Sequence, residues 1–450
     1  MSTRDVAPLP GPASHLVLTD FKTAPMRAFH MTWMAFFLCF FAWFGIAPLM
    51  PIVRKEFGLT PDQVGWSIIG SVAITIFARI GIGRLCDHFG PRLTYSWLLI
   101  LGSLPVMGIA LATDFWSFLM FRVLIGTIGA SFVVTQYQTT KMFAGNCVGT
   151  ANATAAGWGN LGGGVTQMVM PLLFAFLTVT CGLTSAAGWR TCMILSGLVC
   201  AATGVLYYFC TQDTPAGNMS DLRRQGLMSA DTSKQSGLGV AMRDHRVWTL
   251  FIIYACCFGL ELTLDNVAVL YFTDYFHLDL HIAGMAAGAF GMMNLFARAL
   301  GGMVSDRFAT RWGLSGRSRW LFLTVLGEGL ALLIFSQMTN VGWAIAALLL
   351  VGLFVKMSNG AVYAVVPFVN AKALGSVAGI VGAGGNLGAV AAGFLFKSGI
   401  PWNTTFWILG LVVTACATLA TTLTWGVVVA SNEQPATDKA TVPLAMAAAE

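Results

Sequence analysis

The sequence predicts an all-α, polytopic membrane protein with about twelve transmembrane helices in two six-helix, pseudo-symmetric halves. Three observations predict it. Hydrophobic residues make up 56% of the 450-residue chain and charged residues 10%, where a soluble domain carries roughly 45 to 50% and about 25%; mean hydropathy is +0.74. Stretches with few or no charges recur from 31–51 to 407–429, each long enough to cross a hydrocarbon core of about 30 Å. The third observation is an internal repeat. Phe77-Ala78-Arg79 returns as Phe296-Ala297-Arg298, and the same shift of 219 positions (296 minus 77) lays Gly83 on Gly302, Asp87 on Asp306, Phe89 on Phe308 and Arg92 on Arg311.

Taken in order, residues 1–30 are polar, carry Arg4, Lys22 and Arg27, and read as a cytoplasmic tail. The first span is too long for a secretory signal and lacks a small-residue cleavage site. A six-helix bundle follows over 31–210, then a polar linker over 211–246 with Pro215, Gly217, Gly226 and Gly237, a second bundle over 247–429, and a cytoplasmic tail over 430–450. Cytoplasmic loops are richer in Lys and Arg than exported ones. With the N-terminus inside, Arg84, Arg92, Lys141, Arg223, Arg224, Lys234, Arg243, Arg246, Arg307, Arg311, Arg317, Arg319 and Lys372 fall inside, against Arg54, Lys55, Arg190 and Lys397 outside. An even number of spans returns the C-terminus to the cytoplasm. The net charge of +6 reflects that asymmetry and gives no reason to expect nucleic acid as a partner.

Most of the 10 cysteines, such as Cys39, Cys200, Cys256 and Cys416, lie within spans, where free Cys behaves as a small hydrophobe. A disulfide between Cys181 and Cys192 at the external face is the minor alternative. His277 and His281 have a metal-compatible spacing, but their short polar loop favours a surface pair, so no metal and no cofactor are expected.

An arginine at the centre of a membrane helix costs about 2.5 to 3.5 kcal/mol on insertion scales and persists where it faces a polar cavity or partner. A single such residue could simply lock helices through a nearby acid. Two at equivalent depths, Arg79 and Arg298, imply a shared central site, because substrate sites of repeat-built transporters lie near the midplane between the halves. Guanidinium is planar, permanently charged and forks onto flat oxyanions, so the pair argues for a small anion. Glycines form the second constellation: Gly157-Trp158-Gly159-Asn160-Leu161-Gly162-Gly163-Gly164 in the fifth span and Gly382-Ala383-Gly384-Gly385-Asn386-Leu387-Gly388 in the eleventh. Small residues in membrane helices ordinarily permit close packing. Here they also suit sliding helices that bring Asn160 and Asn386 close to a small cavity. No P-loop lysine accompanies them, which argues against a nucleotide site.

These residues resemble the nitrate/nitrite porters of the major facilitator superfamily, especially the high-affinity nitrate transporters of plants, algae, fungi and bacteria. The resemblance spans nearly the whole membrane region and rests on the two glycine-asparagine runs, the first continuing to Val165-Thr166-Gln167, and on the paired arginines. Gly83-Arg84-Leu85-Cys86-Asp87-His88-Phe89-Gly90-Pro91-Arg92, after the second span, resembles the superfamily's conformational loop, with Gly302, Asp306 and Arg311 as its second copy. The resemblance implies that Arg79 and Arg298 grip nitrate and that Gly157, Gly159, Gly162, Gly163, Gly164, Gly384, Gly385 and Gly388 support binding and rocking of the halves. It also implies that Phe132 stacks on the substrate plane while Tyr254 and Phe258 line the same pocket.

Tyr254, Phe258, Glu261 and Asp265 recur at steps of four, three and four and so share one helical face. Nitrate entering an interior-negative cell works against about 2.3 kcal/mol per charge per 100 mV, so concentrative uptake needs a cation moving with it. Glu261 and Asp265 are candidate proton acceptors; the alternative makes them permanent counterions of Arg79 or Arg298. Arg122 resembles the fourth-helix arginine of proton-coupled members. Lys356 and Glu328 are further ionisable groups within spans, with Lys356 expected to snorkel to the interface, meet the anion, or pair with Glu261 or Glu328. The expected function is proton-coupled nitrate import by alternating access, with nitrite as a second substrate, in the cytoplasmic (inner or plasma) membrane with lipid around it. An exchanger of nitrate for nitrite is the nearest alternative, and a non-transporting nitrate receptor a remote one. No His-Asp, Ser-His or metal cluster in the spans points to an enzyme, and nothing in the sequence calls for an accessory membrane protein.

Overall fold

Apolar length sets the helices, and polar caps set their ends. The computed structural model describes residues 10–144, 147–226, 237–370 and 374–425, with the backbone alone at 87, 149, 237, 238, 374 and 375. The tail at 430–450 and the loop residues Lys234 and Lys372 lie outside the described residues. In the first half α1 is Ala24–Phe44, α2 Pro61–Phe89 and α3 Pro91–Gly108. The crossing α4 is Phe115–Met142, tightened by a 3-10 turn at Thr127–Ala130; α5 is Val148–Ala175 and α6 Ser185–Cys210. In the second half α7 is His245–Tyr275, α10 Val341–Val365, α11 Leu374–Lys397 and α12 Trp402–Ala417. Between α7 and α10 runs one apolar stretch of 57 residues, Leu280–Ser336. At about 1.5 Å per residue it is far too long for one crossing, and it breaks at Gly313, whose φ is 60°. The result is α8 over 280–312 and α9 over 314–336, giving twelve crossings among the described residues.

Several starts follow helix-capping chemistry. Thr60 and Gln63 close a reciprocal capping box on α2, with Pro61 in the first turn. Asp114 does the same for α4 with Ser117, each cap satisfying amides that have no partner within the helix. Three sequence boundaries shift. The first crossing begins at Ala24 rather than 31, and Arg27, expected in a polar tail, lies on α1 and donates to the Cys210 carbonyl at 2.8 Å. The segment expected as a linker holds short helices at Met219–Arg224 and Gly237–Arg243. Most of the expected loop at 83–92 is helix, because α2 runs on to Phe89. Chain reversal falls on Gly90 alone, at φ 86° and ψ 158°, a region open in practice only to glycine. A Cβ there would also sit 2.5 Å from Asp213 Oδ2. The same carboxylate accepts from the Arg92 and Met219 amides at 2.8 and 2.9 Å, and burial pushes it above its ordinary pKa against the pull of those donors. In the second copy Asp306 pairs with Arg317 at 2.6 Å and Arg311 lies over the Trp312 ring. Gly83 and Gly302 sit in loose surroundings, and the Asp87 side chain lies outside the described residues.

The halves meet through two helix pairs, α2 against α11 and α5 against α8. The repeat maps α2 onto α8 and α5 onto α11, so one contact is the pseudo-symmetric image of the other. Both pairs splay. On α2, a Cβ at Gly65 would overlap Lys397 of α11, whereas Gly81 has nothing within 4 Å. On α11, Gly393 abuts Ile69 of α2, whereas Gly379 is open. Gly164 of α5 lies against the Gly291 backbone of α8, while farther along the pair Gly157 meets Asn294 only at 3.4 Å and Gly302 meets nothing. Ion pairs close the tight end: Arg54 forks onto Asp274 with two contacts of 2.5 Å, and Lys397 meets Asp62 at 3.0 Å. Among the described residues the molecule is shut at that end and open at the end where α1 starts and α12 finishes.

Cys181 and Cys192 are both free, the first exposed and the second buried, so the disulfide alternative falls away. Among the described residues no group of three or more His, Cys, Asp or Glu could hold a metal.

Candidate functional site

Along the splayed pairs α2 and α8 carry the two repeat arginines, and Arg79 reaches across to the other half. Arg79 Nη1 donates across the interface to the Gly382 carbonyl of α11 at 3.4 Å. Its guanidinium lies 5.4 Å from the Phe132 ring centroid of α4, and its buried Nε has no partner. Arg298 occupies the matching place on α8, 5.7 Å from the Phe258 ring of α7. Phe258 stacks on Tyr254 at 5.2 Å, nearly parallel, and Tyr254 meets Tyr363 of α10 edge-on at 5.2 Å. Tyr363 also reaches the Arg79 side, since a Cβ on Gly382, whose carbonyl takes Arg79, would lie 3.3 Å from the Tyr363 hydroxyl. A continuous band therefore runs from Phe132 through Arg79, Tyr363, Tyr254 and Phe258 to Arg298: one cation from each half with aromatic faces between.

The glycine runs make this proximity possible. A Cβ at Gly159 or Gly162 would run into Phe36 or Phe37 of α1, and one at Gly384, Gly385 or Gly388 into Phe251, Phe258 or Ala255 of α7. Each run thus lets its helix seat against the first helix of its own half. Gly163 differs, since a Cβ there would reach 3.3 Å from Asp265 Oδ2. Asn160 and Asn386 are buried, with Asn160 Oδ1 and both amide atoms of Asn386 lacking partners. Unpaired amides in a buried setting are costly unless a ligand or water satisfies them.

The acids separate into two kinds. Glu261 is saturated: Lys356 Nζ stands 2.6 Å from Oε1, Asn294 donates to Oε1 at 2.9 Å, Asn359 donates to Oε2 at 2.5 Å, and Arg298 Nη2 stands 3.9 Å from Oε2. Asp265, one turn on, pairs with no described cation, and its Oδ1 is buried without a partner. Its backbone carbonyl accepts from Gln167 of α5 at 2.5 Å. Arg122 is buried and bridges the halves, donating to the Trp43 carbonyl at 3.3 Å and to Asn266 Oδ1 at 3.2 Å. Lys356 does not snorkel: it is fully buried, since Glu261 gives it a closer countercharge than the interface does. Glu328 is likewise fully buried, on α9.

Tyr363, Asn294 and Asn359 escaped the sequence reading. Lys356, Asn359 and Tyr363 fall three and seven residues apart on α10, one helical face, and that polar stripe in an apolar helix was the available signal.

The pattern of the Major Facilitator Superfamily matches residues 32–309 and again 250–447, the double match reflecting the repeat. The high affinity nitrate transporter 2.5 of Arabidopsis thaliana is 37% identical over 395 residues, covering 87% of this chain and 78% of the relative. This chain belongs to the nitrate/nitrite porter family of the major facilitator superfamily. The nitrate transporter 2.1 of Chlamydomonas reinhardtii is 35% identical to the porter over 398 residues, covering 88% and 73%. The nitrate/nitrite transporter NrtP of Nostoc punctiforme is 29% identical, covering 87% and 90%. Among solved structures, the inward-facing, occupied bacterial Spinster homologue and the partially occluded, inward-open xylose transporter XylE of E. coli each superpose with a TM-score of 0.69 at 14% identity. They cover 89% of the porter and 96% and 98% of those chains, and agree in fold. The porter is an integral, multi-pass membrane transporter and not an enzyme.

Proposed function

We propose that the porter imports nitrate, with nitrite as a second substrate, by proton-coupled alternating access, and that Arg79 and Arg298 hold the anion between the halves. The observation that carries this is the band of two guanidinium groups, one from each half, with the faces of Phe132, Tyr254 and Phe258 beside them. A planar monovalent oxyanion suits two forked donors along its edge and aromatic rings on its faces. The relatives named for nitrate and nitrite agree with that choice. The bundles at 31–210 and 247–429 are the moving bodies, joined through 211–246. Both termini are cytoplasmic in the cell membrane by the basic-loop asymmetry, which makes the open end the inner one and this state inward-open.

Between the two acids, Asp265 is the better proton carrier. It is buried against Gly163 of the opposite half without a cation partner, whereas Glu261 has its charge compensated. The compensation of Glu261 favours the second reading, nitrate/nitrite exchange, in which both acids are structural. The deciding experiment is nitrate uptake into proteoliposomes with and without an inward proton gradient, and with vesicles preloaded with nitrite. Proton-driven accumulation without internal nitrite, abolished by Asp265→Asn, is the expected result. Uptake only against internal nitrite establishes exchange.

A further inference from the structure

We infer that Lys356 is a positioning residue for the anion: by holding Glu261 it keeps Arg298 positively charged toward the substrate. The inference rests on the reading of Arg298 as an anion ligand and extends it to a residue of α10 that does not itself line the arginine–aromatic band.

The geometry is that of one carboxylate between two cations. Glu261 Oε1 is 2.6 Å from Lys356 Nζ, while Oε2 is 3.9 Å from Arg298 Nη2. Asn294 of the turn in α8 and Asn359 of α10 each hold one oxygen, which fixes the carboxylate on the lysine side. Lys356 is itself held, its Nζ 4.3 Å from the Phe290 ring centroid. Among the described residues Glu261 is the one acid within ion-pair reach of either cation. Charge around the site therefore depends on how Glu261 is shared. While it lies closer to Lys356, at 2.6 Å against 3.9 Å for Arg298, the three groups together carry one excess positive charge, which attracts an anion. Removal of the lysine charge leaves Glu261 with Arg298 as its nearest cation, and a neutralised Arg298 no longer favours an arriving anion. Buried charges interact far more strongly than exposed ones, and leaving one unpaired is strongly unfavourable, so the carboxylate would turn to whichever cation remains.

This predicts opposite signs for the two partners, which a merely structural ion pair would not give. Nitrate binding to purified, detergent-solubilised porter is measured by isothermal titration calorimetry, with thermal unfolding followed on each variant. Lys356→Met should weaken nitrate binding about tenfold or more, and Glu261→Gln should tighten it by about threefold or more, through the field of an unshared Arg298. The double variant, with a neutral and satisfied pair, should return to within about threefold of the parent, and Lys356→Arg should bind as the parent does. If Lys356→Met fails to fold, the signs of Glu261→Gln and of the double variant still decide. Weakening by Glu261→Gln, or a double variant as weak as Lys356→Met, overturns the inference. Failure of the parent to bind nitrate, or binding indifferent to Arg298→Lys, instead overturns the nitrate reading and this inference with it.

Discussion

At the scale of single residues, the site is a problem of placing two buried cations, two half-buried ones and three buried acids, and the structure solves it unevenly. Glu261 takes Lys356 and two amides, Arg122 takes a carbonyl and an amide, Arg79 reaches a carbonyl of the opposite half, and Arg298 stays beside Phe258 and Glu261 of its own half. Arg79→Lys keeps the charge but loses the planar fork. Removal of one charge-assisted contact of about 2 kcal/mol should raise the apparent KM for nitrate uptake about 30-fold, as initial rates in proteoliposomes would register. Tyr363→Ala should also raise it, because that side chain braces Tyr254 and lies against Gly382, the residue that takes Arg79. The arginines were legible in the sequence because a charge in an apolar span is conspicuous and its duplication more so. Tyr363, Asn294 and Asn359 were not, because an aromatic or an amide in a membrane helix has many structural uses. The partner of Lys356 was narrowed to Glu261 or Glu328 but not chosen, since Glu261 lies 95 positions away (356 minus 261) and spacing gave no reason to prefer it.

At the scale of elements, glycine decides how near helices come. The sequence analysis read the two glycine runs as one feature, but they do several jobs: Gly159 and Gly388 seat helices inside a half, Gly164 seats one half on the other, and Gly163 leaves room for Asp265. Only the third dimension separates these, because spacing along the helix is the same in each case. Gly164→Ala would force the α5 and α8 backbones apart, at an overpacking cost of about 1 to 3 kcal/mol. It should lower both the thermal unfolding midpoint and uptake. Gly81→Ala, on the open stretch of α2, should leave the midpoint unchanged or raise it, since Ala is favoured in a helix by about 0.5 to 1 kcal/mol. Gly90→Ala should destabilise by about 1 to 3 kcal/mol through its backbone angles alone, with further loss from the crowded Asp213 carboxylate, measurable in the same unfolding experiment. The helical extent of α2 through Phe89 was misread because Gly83 and the polar residues after it look like a turn, yet α-helix tolerates them where neighbouring helices provide support.

At the scale of the whole molecule, the count of spans and the two-half plan were readable from hydropathy and the repeat. The state of the transporter was not, because the same sequence must satisfy both an inner-open and an outer-open arrangement. Arg54 and Lys397 read only as external basic residues and Asp62 and Asp274 went unread, though in space the four latch the closed end. Arg54→Ala with Asp274→Ala should loosen that latch and speed hydrogen–deuterium exchange across 61–69. The latch is reciprocal: the first half gives Arg54 and Asp62, and the second gives Asp274 and Lys397. Each half thus carries one positive and one negative latch group away when the end opens, so no net latch charge is displaced in either direction. Rocking of these groups is electrically silent, contributing no gating charge to the about 2.3 kcal/mol per charge that 100 mV supplies. The latch therefore adds nothing to the voltage sensitivity of turnover, and current per anion measured on a solid-supported membrane should be the same for the parent and for the variant lacking both Arg54 and Asp274.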